Sequence, residues 1–109
     1  MTRAAPSYSP SSCVVICRDG PNGPAARAAV TRDHLAYIET VLGELDIAGP
    51  LYDPSGKTMI GSIYSFRTTS LQRARELVES DPYFRAGVFA TVDYFPHLPA
   101  AWQYIGGKI

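Results

Sequence analysis

The alternation of apolar and polar residues divides the chain into four strands and two helices. Residues 12–18 and 88–95 are apolar runs with many β-branched residues, which is typical of strands. Residues 46–52 and 58–67 also read as strands, and the strong turn signal Asp53-Pro54-Ser55-Gly56 between them predicts a hairpin. With one helix in each of the two longer gaps, the pattern predicts an α+β fold with the element order β-α-β-β-α-β.

The first predicted helix lies within residues 25–45. On a helical wheel of about 3.6 residues per turn, one side is mainly apolar and is formed by Val30, His34, Ile38, Val41, Leu42 and Leu45. His34 therefore lies on the side that packs toward the sheet. A lone histidine in this position is either a core residue with a satisfied hydrogen bond or a catalytic imidazole, and the pattern leaves both interpretations open.

The second predicted helix begins after Ser70, a favourable N-cap residue. Its buried stripe consists of Leu71, Ala74, Leu77 and Val78. Pro82 disfavours helical geometry at Asp81, so we expect this helix to end by Ser80. The carboxylate of Asp81 then has two possible roles, which are to cap a neighbouring amide such as that of Phe84 or to take part in chemistry.

Both faces of the third strand are substantially apolar. Its residues alternate between the set Ile60, Ser62, Tyr64 and Phe66 and the set Met59, Gly61, Ile63 and Ser65. A sheet covered by helices on only one side would leave one of these apolar faces in contact with water. We therefore expect a homodimer, with the apolar C-terminal tail, residues 99–109 including Trp102 and Tyr104, packed on the partner.

Composition indicates a single domain. The chain has 109 residues, of which we assign 12–98 to the domain and 1–11, rich in Ser and Pro, to a disordered tail. Lys plus Arg and Asp plus Glu number 10 each, which argues against electrostatic binding to nucleic acid, and no apolar run is long enough to predict a membrane span. Cys13 and Cys17 lie about 13 Å apart along one strand, too far for a disulfide, so we predict reduced thiols and a cytoplasmic location.

The sequence contains no cofactor or metal signature. The turn at residues 20–24 has neither of the glycine-rich patterns that bind phosphate. His97 forms no recognisable ligand spacing with His34 and Asp81. We therefore predict no metal and no organic cofactor, which leaves proton transfer as the available chemistry.

Short motifs in a fixed order resemble the YCII-related family from about Cys13 to Phe95. They are Arg27, His34-Leu35, Gly49-Pro50, Gly61-Ser62, Asp81-Pro82-Tyr83 and Ala86-Gly87-Val88. The resemblance implies a ferredoxin-like unit with an antiparallel sheet that dimerises into an α+β barrel. It also implies a catalytic His–Asp pair, mapping to His34 and Asp81, with substrate-binding residues at Arg27, Gly49, Pro50, Ser62 and Tyr83.

Three functions are compatible with this pattern. The first is a cofactor-free enzyme that uses His34 and Asp81 for isomerisation, elimination or lyase-type chemistry on a small molecule, such as a cyclic or aromatic compound. The second is a non-catalytic module that binds a small ligand in the same cavity. The third, an RNA-binding sheet, shares the element order, but residues 58–66 do not match the RNA-contacting strand motif and the net charge is zero.

Overall fold

The four predicted strands form one sheet in a computed structural model that describes residues 9–103. The strands are β1 (Ser12–Asp19), β2 (Leu45–Tyr52), β3 (Met59–Phe66) and β4 (Phe89–His97). The helices are α1 (Gly23–Thr40), α2 (Leu71–Glu79), α3 (Pro82–Arg85) and α4 (Ala100–Gln103), with a 3-10 turn at Leu42–Glu44. None of the helices in the described part of the chain is long and apolar enough to cross a membrane.

The strand order is β2-β3-β1-β4, and each neighbouring pair is antiparallel. The element order predicted from the sequence and the ferredoxin-like α+β fold class are therefore confirmed. The hairpin between β2 and β3 turns at Asp53, whose side chain accepts a hydrogen bond from the Ser55 amide at 3.0 Å. Gly56 in the same turn has a φ of 73°, which a glycine adopts without steric cost.

The core lies between one face of the sheet and the helices. The register pairs Cys13 with Phe66, Val15 with Tyr64 and Cys17 with Ser62, so these residues share a face. The hydrophobic cluster on this face also contains Leu45, Ala74, Leu77 and Val78. Three of the four residues predicted for the buried stripe of α2 therefore reach the core, whereas Leu71 remains 41% exposed.

The opposite face of the sheet, which we call the open face, carries apolar residues from all four strands. Val14, Ile16 and Ile63 are half-buried, and Ile47 and Phe95 are 58% and 50% exposed. The residues of β3 therefore alternate between the core face and the open face as the sequence predicted. The cover that we expect over this face is a partner subunit.

The first helix ends earlier than the wheel predicted. It ends at Thr40, and the 3-10 turn that follows leads Leu45 into β2, where it pairs with Phe66 and is 6% exposed. Leu42, which we placed on the buried stripe, is 57% exposed. The helical wheel is wrong for Leu42 and Leu45 because it continues the helical period beyond Thr40. The end of the helix is determined by the pairing of β2 with β3.

The chain termini extend the predicted elements where they are described. Ser11 donates its amide to the carbonyl of His97 at 3.0 Å, so β4 continues past the predicted end at residue 95. The C-terminal tail, for which we predicted no further element, begins with α4. Residues 1–8 and 104–109 lie outside the described residues, so the disorder of the N-terminal tail and the packing of the C-terminal tail stay predictions.

Both cysteines are free thiols buried in the core. Burial, reinforced by the negative charge of Asp81, raises the pKa of Cys17 from 9.0 to about 12. At a pH below 9.0, the pKa of the thiol in the unfolded chain, the thiol is protonated in both the folded and the unfolded protein. Its full contribution to the free energy of unfolding is then present. As the pH rises from about 9 toward about 12 the unfolded state loses that proton first, and the stability is lost.

We therefore expect the free energy of unfolding to fall with rising pH in the alkaline range, with a contribution from Cys17 of up to about 1.4 kcal/mol per pH unit. Urea unfolding at a series of alkaline pH values measures this slope. Cys17→Ala is expected to have a shallower slope than the wild type. Equal slopes for the two proteins would show that the Cys17 thiol is not the group responsible.

Candidate active site

The structure brings His34 and Asp81 together although they are 47 residues apart in the sequence. His34 projects from α1, and Asp81 is the N-cap of α3. The imidazole Nδ1 lies 2.8 Å from Oδ1 and 2.9 Å from Oδ2 of the carboxylate. The carboxylate is therefore centred on one ring nitrogen.

Asp81 is fully buried and accepts two further hydrogen bonds. The Tyr64 hydroxyl donates to Oδ2 at 2.6 Å, and the Tyr83 amide donates to Oδ1 at 2.8 Å. A carboxylate surrounded by donors is the acceptor of each, so we assign the shared proton to His34 Nδ1. Asp81 consequently has both roles considered from the sequence, helix cap and partner of His34, although the capped amide belongs to Tyr83 rather than Phe84.

The plane of the imidazole is set by Tyr83. The two rings stack with centroids 3.8 Å apart and an angle of 11° between their planes. The Tyr83 hydroxyl donates to Thr31 at 3.3 Å, and Phe89 meets the Tyr83 ring edge-on. With Nδ1 engaged by Asp81, Nε2 is the ring nitrogen left to exchange a proton with a ligand.

Arg27 lies on α1 seven residues before His34, with a kink at Val30 between them, and both residues line the same cavity. Arg27 is 5% exposed, and its guanidinium donates to both oxygens of Asp19, from Nε at 2.7 Å and from Nη2 at 2.8 Å. Burial opposes the charge, but the hydrogen bonds and charge of Asp19 outweigh it and raise the pKa of Arg27. The arginine is therefore a fixed cation whose charge is partly balanced within the chain.

The Gly61-Ser62 motif contacts this cation directly. Arg27 Nη2 donates to the Gly61 carbonyl at 2.8 Å and to Ser62 Oγ at 2.9 Å. Because arginine has no acceptor, Ser62 accepts this bond and its own hydroxyl hydrogen is left to donate. A donor polarised by a buried cation therefore lies at the wall of the site.

A cavity of about 210 Å³ opens beside these groups. All of the predicted substrate-binding residues line it, together with His34: Arg27, Gly49, Pro50, Ser62 and Tyr83. Leu35, Ala48 and Met59 are also among the residues that line it. Asp81 lies behind His34 and is fully buried, so it acts on a ligand only through the imidazole.

Glycine is required at position 61 by contact rather than by backbone angle. A Cβ built there lies 2.2 Å from the carbonyl oxygen of Cys17 on β1. We expect Gly61→Ala to destabilise the fold by about 1–3 kcal/mol, because β3 must move away from β1. Gly49→Ala is the control, since a Cβ at Gly49 meets nothing within 4 Å, and denaturant unfolding compares the two. A Gly61→Ala protein as stable as Gly49→Ala would contradict this account.

Two contacts of the site were not predicted from the sequence, that of Asp19 with Arg27 and that of Tyr64 with Asp81. The strand period placed Tyr64 on the same face as Ser62, which indicates that Tyr64 lies near the site. No pattern in the sequence indicated that its hydroxyl reaches Asp81. Asp19 lies eight residues before Arg27 at the end of β1, and only the packing of α1 against the sheet brings them together.

The residues of the described chain form no group of three or more His, Cys, Asp or Glu side chains that could hold a metal ion. His97, considered above as a metal ligand, instead lies 3.1 Å from the Ser12 hydroxyl through Nδ1. Ser12 begins β1, whereas the cavity lies toward the end of that strand, where Cys17 pairs with Ser62. His97 therefore lies away from the cavity that His34 lines.

Comparison with known proteins agrees with this fold. A protein of Haemophilus influenzae, named only as uncharacterized, is 35% identical over 86 residues, which cover 72% of this chain and 88% of that protein. The structure of 5-chloro-2-hydroxyhydroquinone dehydrochlorinase from Burkholderia phenoliruptrix AC1100, in complex with 2,5-dihydroxybenzoquinone, is similar with a TM-score of 0.68 and 26% identity. That similarity covers 77% of this chain and 90% of the dehydrochlorinase, and it places the fold in the dimeric α+β barrel class. Residues 12–97 match the YCII-related domain, and the chain belongs to the YCII-related family.

Proposed function

We propose that this protein is a cofactor-free enzyme that uses His34 and Asp81 to move a proton on a small cyclic molecule. The observation that carries the proposal is an imidazole held at Nδ1 by a fully buried carboxylate, with its side chain lining a cavity. This arrangement is that of a general base whose tautomer and orientation are fixed by the carboxylate.

The cavity favours a single hydroxylated ring as substrate. Its volume of about 210 Å³ is below the ~300–1,000 Å³ of sites that hold drug-sized ligands. Apolar side chains contact the faces of such a ring, and Ser62 offers a donor to one ring oxygen. The similar dehydrochlorinase acts on a chlorinated trihydroxybenzene, which makes compounds of this class the first to test.

The reaction we propose begins with transfer of a ring hydroxyl proton to Nε2 of His34. The electron pair left on that oxygen forms a carbonyl, and a ring carbon takes up a proton in return. An isomerisation ends at this point. In an elimination, a second ring hydroxyl then loses its proton and forms a carbonyl, and a leaving group departs with its bonding electron pair from the ring carbon that was protonated. Ser62, backed by Arg27, stabilises the negative oxygen, a contribution of about 10²–10³ in kcat for one such donor.

The proposal is tested by incubating the protein with chlorinated hydroxyhydroquinones under anaerobic conditions, which suppress autoxidation. Chloride release and quinone absorbance are measured against buffer and against His34→Asn. We expect turnover with wild-type protein only. Saturable binding of these compounds without turnover would instead favour the alternative function, a module that binds a ring compound and releases it unchanged.

The assembly and location are part of the same proposal. We propose a homodimer in which two open faces pack together, supported by the dimeric barrel class and by the exposure of Ile47 and Phe95. We propose a cytoplasmic location because Cys13 and Cys17 are free thiols, which is typical of reducing compartments.

A further inference from the structure

We infer that Tyr64 is a positioning residue, which acts on the substrate through Asp81 and His34 without touching the reacting atoms. This inference rests on the proposed function of the His–Asp pair. It starts from the contact between the Tyr64 hydroxyl and Asp81 Oδ2, whose length of 2.6 Å makes it the shortest of the hydrogen bonds that the carboxylate accepts.

The carboxylate of Asp81 is held at both of its oxygens by different elements. The Tyr83 amide on α3 holds Oδ1, and the Tyr64 hydroxyl on β3 holds Oδ2. With both oxygens fixed, His34 Nδ1 lies almost equally far from each, at 2.8 and 2.9 Å. Removal of the Tyr64 hydroxyl leaves Oδ2 without its donor from β3, so the carboxylate is less firmly held against rotation away from the imidazole.

The hydroxyl of Tyr64 also occupies an acceptor position of the Asp81 carboxylate. Burial, followed by the charge of Asp81, raises the pKa of Tyr64 far above its ordinary value of 10, so the phenol stays protonated and always donates. A donor to a carboxylate stabilises the ionised form. When His34 takes a proton from the substrate, Tyr64 therefore favours the state in which Nδ1 keeps its own proton.

Tyr64 is not itself placed to react with a ligand. The residue is 1% exposed, and its hydroxyl is directed to Asp81 although its ring contributes to the cavity wall. Loss of the hydroxyl should consequently change the catalytic step more than substrate binding. Misalignment of a catalytic group by a fraction of an ångström to 1 Å costs up to about 10²-fold in rate.

The test compares Tyr64→Phe with Tyr37→Phe. Both variants keep the ring and remove one hydroxyl that donates at 2.6 Å, but the Tyr37 hydroxyl donates to the Leu77 carbonyl and not to the carboxylate. Two measurements are made on each protein: steady-state kinetics (kcat and KM) with the ring substrate proposed above, and the exchange rate of the His34 Nδ1 proton with water by NMR. The chain has two histidines, so His97→Asn assigns the signals.

We expect Tyr64→Phe to lower kcat by about tenfold to 10²-fold with KM changed less than about twofold. We also expect the Nδ1 proton to exchange several times faster than in the wild type, and Tyr37→Phe to match the wild type in both measurements. Equal exchange rates in Tyr64→Phe and the wild type would overturn the inference. If no substrate is turned over, the proposed function fails, and the NMR comparison still decides whether Tyr64 positions the pair.

Discussion

His34→Asn is expected to lower kcat for the ring substrate by about 10²–10⁴-fold, the contribution of a positioned general base. The asparagine amide reaches toward Asp81 as Nδ1 does and keeps a donor for the buried carboxylate, but it has no counterpart of Nε2. The free energy of unfolding should therefore stay within about 1 kcal/mol of the wild type. Steady-state kinetics and urea unfolding measured on the same preparation separate loss of the base from loss of the fold.

The control for this substitution is His97→Asn. His97 bonds to Ser12, away from the cavity, so this variant is expected to keep wild-type kcat. A His34→Asn protein that retains activity would rule out the imidazole as the base. A loss of stability of several kcal/mol, matched by the loss of activity, would identify His34 as a structural core residue, the other role that its place on the helix stripe allows.

Asp81→Asn provides an independent check on the same pair. The substitution conserves volume but replaces one oxygen with an NH₂ group, which must face the His34 imidazole, the Tyr64 hydroxyl or the Tyr83 amide. An NH₂ group that faces Nδ1 forces the proton to Nε2 and removes the base from the cavity side. We expect a loss of kcat as large as that of His34→Asn, with a shift of the ring ¹⁵N signals that reports the exchanged tautomer.

Phe95→Lys is expected to convert the proposed dimer to a folded monomer. Phe95 lies on the open face opposite Val14 and is 50% exposed, so the single chain tolerates a lysine there. In a dimer of standard size, which buries about 1,600 Å² in total, the same lysine is an unpaired charge in an apolar contact. We expect the dimer dissociation constant to rise by at least about 10²-fold.

Sedimentation velocity at micromolar concentration measures the change, and circular dichroism shows that the variant is folded. Leu42→Lys is the matched control, because Leu42 is an exposed apolar residue at 57% but lies after α1 and outside the sheet. It should remain a dimer. A wild-type protein that sediments as a monomer would contradict the proposed assembly directly.

Local signals in the sequence determined the strands, the hairpin and the ends of α2. The Asp-Pro-Ser-Gly turn closes the hairpin, and Ser70 caps α2 by accepting from the Arg73 amide at 3.0 Å. Pro82 stops that helix where predicted, since α2 ends at Glu79. These features follow from the sequence because each depends on backbone preferences within a few residues.

Tertiary structure decided where α1 ends and which groups meet in the site. Leu45 leaves the helix pattern because pairing with Phe66 places it in β2. Pro82–Arg85 forms the short helix α3, and Asp81 caps it by accepting from the Tyr83 amide, a detail that the stop signal alone does not contain. Both depend on partners far along the chain, whose positions the local pattern does not encode.

The site shows the same division. The helical period placed His34 on the inner face of α1, and the strand period placed Tyr64 beside Ser62, while the family resemblance paired His34 with Asp81. Neither the periods nor the resemblance indicated that Tyr64 would reach Asp81 or that Asp19 would hold Arg27. The helical or strand period of a sequence specifies the direction in which a side chain leaves its own backbone. The residue that this side chain contacts depends on how the helices pack on the sheet, which only the folded chain determines.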